Sequence, residues 1–196
     1  IFLKNTLIIT VGNMVGTVLS SSLVGFGFAR LRFPGREALF MLVLSTLMLP
    51  GIVTMIPVFV LFSKLHWINT FLPLIVPAYF GGGAFNIFLL RQFFRSIPHE
   101  LEDAARIDGA NTLYIWWRIF MPLARPAVTT VAIFCFMRQW NNFMGPLIYL
   151  NRESKFTLAL GLNQFLTEHG AEWDLLMAAS VLITLPMILV FFSAQG

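Results

Sequence analysis

The sequence predicts an all-α, polytopic membrane helical bundle of about five spans, and three observations carry that prediction. Composition is the first: 58% of residues are apolar and only 11% charged, with a mean hydropathy of +0.80. Soluble domains run at roughly 45–50% apolar and about 25% charged, so a soluble core of 196 residues would need a charged surface that this chain lacks. Length is the second, because several apolar runs reach the roughly 20 residues that cross a hydrocarbon core. Breakage is the third. Pro and Gly recur inside those runs, and in lipid such breaks survive only where neighbouring helices or a cavity satisfy the freed carbonyls.

Leu7 to Ala29 forms the first expected span, with Gly12 and Gly16 spaced as a small-residue packing face. Ser20 to Ser22 can bond back to helix carbonyls. Arg30, Arg32 and Arg36 follow around a Pro34-Gly35 turn. Ala38 to Phe62 is the second span, with Pro50-Gly51 and Pro57 inside it, read as a kink or as a gate. A short link, Lys64 to Thr70, leads to the third span, Leu72 to Phe94, which contains Pro73, Pro77 and Gly81-Gly82-Gly83. The fourth runs from about Leu123 to Ile148, broken by Arg138 and Gly145-Pro146, and the fifth covers Leu175 to Phe192 with Pro186 inside. The stretch 151–174 between them is polar enough to lie outside the membrane.

One polar stretch interrupts this pattern, Ile97 to Pro122, reading IPHELEDAARIDGANTLYIWWRIFMP. Its first half reads as a short helix, capped by Ser96 or Ile97 with Pro98 in the first turn, where a missing N–H costs nothing. Glu100, Glu102 and Asp103 fall at the positive end of the helix dipole. Glu102 and Arg106 are four apart in the favourable order for pairing. Leu101, Ala104, Ala105 and Asp108 share another face, kept flat by the alanines. Gly109 can take the left-handed conformation that ends a helix. Asn111 or Thr112 can then cap a second helix, which Pro122 interrupts.

Charge sets the orientation. Arg30, Arg32, Arg36, Arg91, Arg95, Arg106, Arg118 and Arg125 fall on one side, and Lys4, Lys64, Arg152 and Lys155 on the other. The arginine-rich side should face the cytoplasm, and it carries the polar hairpin. The net charge of +4 is scattered between apolar runs with no basic stripe, which argues against a nucleic-acid partner. The single Cys135 excludes an internal disulfide and a cysteine-based metal cluster.

No P-loop is present: Lys4, Lys64 and Lys155 follow Leu, Ser and Ser rather than the Gly that phosphate cradling requires. His66, His99 and His169 lie in three separate loops without an H-E-x-x-H pattern, so no metal site is expected and the chain does not read as an enzyme. A gradient-driven carrier or facilitator is the alternative reading, although no internal repeat and no acid deep in a span supports it. A structural membrane subunit without a transport path is a third. The most polar cluster near a span is Arg138, Gln139, Trp140, Asn141 and Asn142. It reads either as a lining for a hydroxyl-rich solute, with Trp140 as a stacking face, or as the outer end of a helix, where tryptophan is common.

The sequence Glu102-Asp103-Ala104-Ala105, then Asp108-Gly109-Ala110, then Ile119 and Met121-Pro122-Leu123 resembles the EAA loop of ABC importer permeases. It departs in having Asp103 where the first alanine often stands and Met121 before the proline. NTL near the start, ARLRFPGR, LLRQFFRSIP, WNNF and LLMAAS look like the sugar-importer branch typified by the maltose permease. The resemblance covers nearly the whole chain. It implies a single permease domain over 1–196, a fragment of a longer protein, in a bacterial or archaeal cytoplasmic membrane. It further implies a type I importer fold translocating a sugar or oligosaccharide by alternating access. The implied partners are a cytoplasmic ATPase dimer, which would hold ATP and Mg while this chain binds no cofactor, a second permease subunit making a heterodimer, and an extracytoplasmic solute-binding protein. Within that picture 96–121 is a coupling loop, with Glu102, Asp103, Ala104, Ala105, Arg106, Asp108 and Gly109 facing the ATPase. The outer loop 151–174 would offer Phe165 and Trp173 to the receptor.

Overall fold

The computed structural model describes residues 1–163, 166–167, 170–171 and 173–194. Its regular structure is helical except for a two-residue ladder, in which Leu166 pairs with Ala171 and Thr167 with Gly170. The helices are α1 (Phe2–Arg30), α2 (Arg36–Ser45), α3 (Gly51–Lys64), α4 (Leu72–Ile75), α5 (Ala84–Ser96), α6 (Glu100–Ile107), α7 (Thr112–Leu123), α8 (Arg125–Trp140), α9 (Met144–Tyr149), α10 (Leu158–Leu162) and α11 (Trp173–Ala194). α1 and the segment Leu72–Ser96 are each long and apolar enough to cross a membrane, and two bent pairs, α2 with α3 and α7 with α8, qualify when each is taken as one span. With the 22-residue α11, these are the segments that hydropathy marks. The fold is an all-α membrane bundle.

The breaks fall where proline and glycine forbid a continuous helix. Leu49 and Pro50 separate the short 3₁₀ turn Thr46–Met48 from α3, since the residue before a proline is pushed out of the helical region. Gly81, Gly82 and Gly83 take φ of 102°, 66° and 93°. A Cβ on Gly82 would lie 2.6 Å from the Thr17 carbonyl oxygen, so only glycine fits. Pro122 does not itself stop α7: the helix runs on to Leu123 and turns by 82° into α8 across Ala124.

The chain divides into two compact units. The first comprises 1–14, 55–76 and 133–196. Ile9, Phe62, Leu74, Tyr149 and Leu150 form its core. Side-chain amides stitch its loops: Asn5 Nδ2 donates to the carbonyls of Ser154 (2.9 Å) and Phe156 (3.0 Å), and Asn69 Oδ1 accepts from the backbone N–H groups of Asn151 and Arg152. Gly12 lies against Ile75, where an added Cβ would sit 3.1 Å from Cγ2.

The second unit comprises 15–54 and 77–132. Its core is Phe26, Leu90, Phe94, Ile97, Ile115, Phe120, Ala124, Ala127 and Val131. The rings of Phe26, Phe94 and Phe120 meet edge to face with centroids 5.0–6.1 Å apart, the arrangement that aromatic quadrupoles favour. Residues Ile115–Phe120 wind as a π-helix, which brings Ile115 and Phe120, five apart, onto the same buried face. Ser20, Ser21 and Ser22 bond back to the carbonyls of Gly16, Thr17 and Leu19 as expected, and Ser20 also donates to Ala78 O at 2.7 Å. Gly16 makes an especially close approach, since a Cβ there would lie 2.5 Å from Tyr79 Cδ2.

These glycines separate packing from propensity. Gly16→Ala should lower the unfolding midpoint in detergent, with an overpacking cost of about 1–3 kcal/mol. Gly27→Ala, on the same helix with nothing within 4 Å of the new Cβ, should leave the midpoint unchanged or raise it.

Candidate functional site: a clamped polar hairpin

The polar hairpin lies wholly within the second unit and is built on α6 and α7. It starts later than expected. Ile97 is extended (ψ 132°) and closes α5, while Ser96 bonds back to Phe93 O, so neither caps α6. His99 takes the N-cap position without a side-chain cap, and its carbonyl accepts from the N–H groups of Glu102 (2.9 Å) and Asp103 (3.0 Å). The far end follows expectation. Gly109 has φ 82° and donates to Arg106 O at 3.0 Å, and Ala110 donates to Ala105 O at 2.9 Å. This pair of bonds is the Schellman motif, which satisfies carbonyls that the helix end would leave open. Asn111 caps α7 by accepting from Tyr114 N at 2.8 Å.

Burial sorts the side chains of α6. Glu102 points inward with its side chain 8% exposed, and its Oε1 accepts from Arg106 Nη2 at 2.8 Å and Nε at 3.2 Å. Ala105 is half-buried against the aromatic core together with Ala110. Leu101, Asp103, Ala104, Arg106, Asp108 and Gly109 are exposed, and Ile107 is 86% exposed. The outward face is therefore Leu101, Ala104, Ile107 and Asp108. Ala105, between the two sides, packs against the core and also lines the recess next to Asp108. Beside this face a recess of about 510 Å³ is lined by Asp108, Gly109, Ala110, Asn111, Tyr114 and Arg118 among others.

Sequence reading missed what holds the hairpin. Arg30, the last residue of α1, is 7% exposed. Its Nη2 donates to Phe94 O at 2.7 Å and to Ile97 O, its Nη1 contacts His99 Nδ1 at 2.9 Å, and its Cζ lies 4.7 Å from the centre of the Phe120 ring. One buried cation thus engages the end of α5, the residue that starts α6, and a core ring of α7. By charge alone Arg30 reads as a topology signal; its apolar neighbours Phe28, Ala29 and Leu31 are the hint that it is buried. Arg91 has a parallel role, with Nη2 at 2.9 and 2.8 Å from the two Glu37 oxygens and Cζ 3.8 Å from the Phe40 ring centre.

The polar cluster of the fourth span separates. α8 ends at Trp140, so Asn141 and Asn142 lie in a turn. Arg138 and Asn141 are exposed and Gln139 is buried. Trp140 is 2% exposed, stacked on Phe136 at 5.2 Å, and donates from Nε1 to Ile183 O at 3.0 Å. Its ring is covered within the chain and α8 ends at this residue, which is nearer to the helix-end reading of the sequence than to the stacking face. Asn142 Oδ1 accepts from Gly145 N at 3.1 Å and so satisfies an N–H of the first turn of α9. Phe165 lies outside the described residues, as does the side chain of Trp173, whose backbone begins α11. Among the described residues no group of three or more His, Cys, Asp or Glu could hold a metal ion.

Residues 8–196 match the family model described as the inner membrane component of binding-protein-dependent transport systems. The chain belongs to that family. It is a membrane-spanning permease subunit of a binding-protein-dependent ABC importer, a class of subunit that is not itself an enzyme. It is 37% identical over 191 residues to an arabinooligosaccharides transport system permease of Bacillus subtilis, covering 97% of this chain and 67% of that one. It is 35% identical over 195 residues to a lactose transport system permease of Rhizobium radiobacter, covering 100% of this chain and 70% of that one. Among solved structures, a bacterial ABC transporter involved in the import of the acidic polysaccharide alginate superposes with a TM-score of 0.88 at 27% identity, over 99% of this chain and 73% of that one. The inward-facing MetNI methionine transporter, at 19% identity and TM-score 0.70 over 99% of this chain and 91% of that one, shares the fold.

The Asn111 cap can be tested apart from the rest of the hairpin. Asn111→Ala should cost about 1 kcal/mol and speed hydrogen exchange in the first turn of α7 in the permease, whereas Asn111→Asp should preserve protection.

Proposed function

We propose that this permease imports a sugar or oligosaccharide and that α6 is its coupling helix, docking into a cleft of a cytoplasmic ATPase dimer. The observation that carries the coupling reading is the outward face of α6, with Leu101, Ala104, Ile107 and Asp108 exposed on a helix anchored from behind by Arg30. Ala104 permits close approach, Ile107 offers an apolar contact, and Asp103, Arg106 and Asp108 orient the docked helix. Glu102 acts from within by holding Arg106. Closure of the ATPase dimer on ATP and Mg would carry α6 with it and tilt the spans toward outward opening; hydrolysis would reverse the movement. A second permease subunit would complete the pathway as a heterodimer, and an extracytoplasmic solute-binding protein would deliver the solute against the outer loop 151–174, where Phe165 and Trp173 are candidate contacts. Support for a carbohydrate comes from relatives named for arabinooligosaccharides, lactose and polygalacturonan/rhamnogalacturonan transport. Of the five polar residues near the end of α8, Arg138 and Asn141 are the two exposed ones and the better candidates for the solute path.

Two measurements test this reading. In the assembled transporter, Gly109→Val should abolish uptake of a labelled oligosaccharide while leaving membrane insertion intact. Open space surrounds the position, so the effect acts through backbone strain at positive φ, which a β-branched residue resists. Ala104→Cys should crosslink to the ATPase in a nucleotide-dependent way. Normal uptake by Gly109→Val, or no crosslink from a reactive and correctly inserted Ala104→Cys, would overturn the coupling assignment.

A further inference from the structure

α7 carries apolar side chains on two opposite sides. Ile115 and Phe120 are buried in the core of the second unit, while Leu113 and Trp117, four residues apart, are each more than half exposed. A helix surrounded by water keeps its outer side polar, and one that is apolar on both sides is covered by protein or by lipid. Trp117 has a fixed seat, since its ring lies 5.4 Å from that of Trp116, which packs against the core. The placement of α7 favours lipid. It joins α8 at 82° across Ala124, and the expected fourth span starts only at Leu123, so the crossing belongs to α8. Spans tilt on average by about 20° from the bilayer normal, and a helix that meets one at so steep an angle runs close to the membrane plane. The exposed apolar surface is continuous with that of the span, through Leu123 at the end of α7 to Phe134 and Met137 on α8. Arg118 and Arg125 are exposed, and neither forms an ion pair among the described residues.

We propose that α7 is an interfacial anchor that lies along the bilayer surface, with Leu113 and Trp117 in the acyl boundary and Arg118 and Arg125 against anionic headgroups. Helices of this kind bury an apolar face about 5–10 Å into the boundary between headgroups and acyl chains, and their basic side chains add attraction to anionic lipid. Tryptophan suits that layer because its ring system is apolar while its N–H can stay wet. The side concerned is the arginine-rich one, expected to face the cytoplasm, where the leaflet carries a negative surface potential. Arg118 stands at the edge of the apolar face, in the recess that also holds Tyr114 and Asp108. The turn joining the two helices of the hairpin is short and well bonded: Ala110 donates to Ala105 O, and Asn111 caps α7. A seated α7 therefore fixes the depth of α6 beneath the membrane. That consequence rests on the reading of α6 as the coupling helix; the seat of α7 does not.

The test uses the full-length permease assembled with its ATPase and partner subunit in nanodiscs of phosphatidylcholine and phosphatidylglycerol. A nitroxide is attached to Leu113→Cys or, separately, to Ile107→Cys, each in a Cys135→Ser background that retains uptake. Oxygen, which concentrates in hydrocarbon, should relax the Leu113→Cys label more than a water-soluble nickel chelate does. Trp117→Asp should shift that label toward the chelate, and Trp117→Tyr should leave it in place. Omitting phosphatidylglycerol should weaken the oxygen preference in the parent but not further in Arg118→Gln combined with Arg125→Gln. A Leu113→Cys label reached mainly by the chelate overturns the proposal. So does shielding from both reagents, which marks a protein cover: the ATPase, if the shielding appears only on its assembly. A preference indifferent to phosphatidylglycerol in the parent overturns the headgroup contacts, and equal behaviour of Trp117→Asp and Trp117→Tyr overturns the part given to Trp117. An Ile107→Cys label that stays open to the chelate after the ATPase binds overturns the coupling reading instead and leaves the seat of α7 standing.

Discussion

The second unit depends on the desolvation of one positive charge. Arg30 ends a span of predominantly apolar residues and is buried, so its guanidinium must recover from protein groups what it loses from water. It does so from the carbonyls of Phe94 and Ile97, at the negative end of the α5 dipole, and from the ring of Phe120. These partners lie more than 60 residues away in sequence. Once the charge is satisfied, the end of α1, the end of α5 and the π-wound part of α7 have little freedom to move separately.

That constraint explains how a helix of eight residues can present a face to solvent. In isolation such a helix is too short to persist in water. Here its start is set by His99, its end by the Gly109 Schellman motif, and its inner face by Glu102 and Ala105. With its ends and inner face held in this way, Leu101, Ala104 and Ile107 stay exposed on a formed helix. For the proposed coupling role, a helix held at both ends would lose little of an applied displacement to fraying.

The first unit uses a different device. Its core of Ile9, Phe62, Leu74, Tyr149 and Leu150 is accompanied by amide side chains that bind loop backbone, Asn5 and Asn69 above all. Asn69 takes φ 60°, a conformation that asparagine tolerates better than most residues, and from there its Oδ1 reaches two successive N–H groups. Trp140 and Asn142 belong to the same logic: both satisfy backbone groups of neighbouring segments, so polar character at the end of α8 serves structure as well as surface.

Local chemistry made much of this protein legible from its sequence. Apolar runs marked the spans because hydrocarbon accepts little else, Gly109 and Asn111 marked helix ends because backbone geometry and capping are local, and the Glu102–Arg106 pair followed from one helical turn. The serine back-bonds were local too. What sequence left open was which side of each polar residue faces inward. Ala104 and Ala105 are adjacent and chemically identical, yet one is exposed and the other packs on the core, because only Ala105 lies on the side of α6 turned to that core. Sequence left Trp140 as a stacking face or as an interfacial residue at the outer end of a helix, and the approach of Ile183 and Phe136 buries it at that helix end. Arg30 was visible as a charge but not as a clamp, since its carbonyl partners carry no side-chain signature. Sequence determined the elements and their ends because those depend on neighbours along the chain; burial and partnership were decided by tertiary structure, because they depend on neighbours through space.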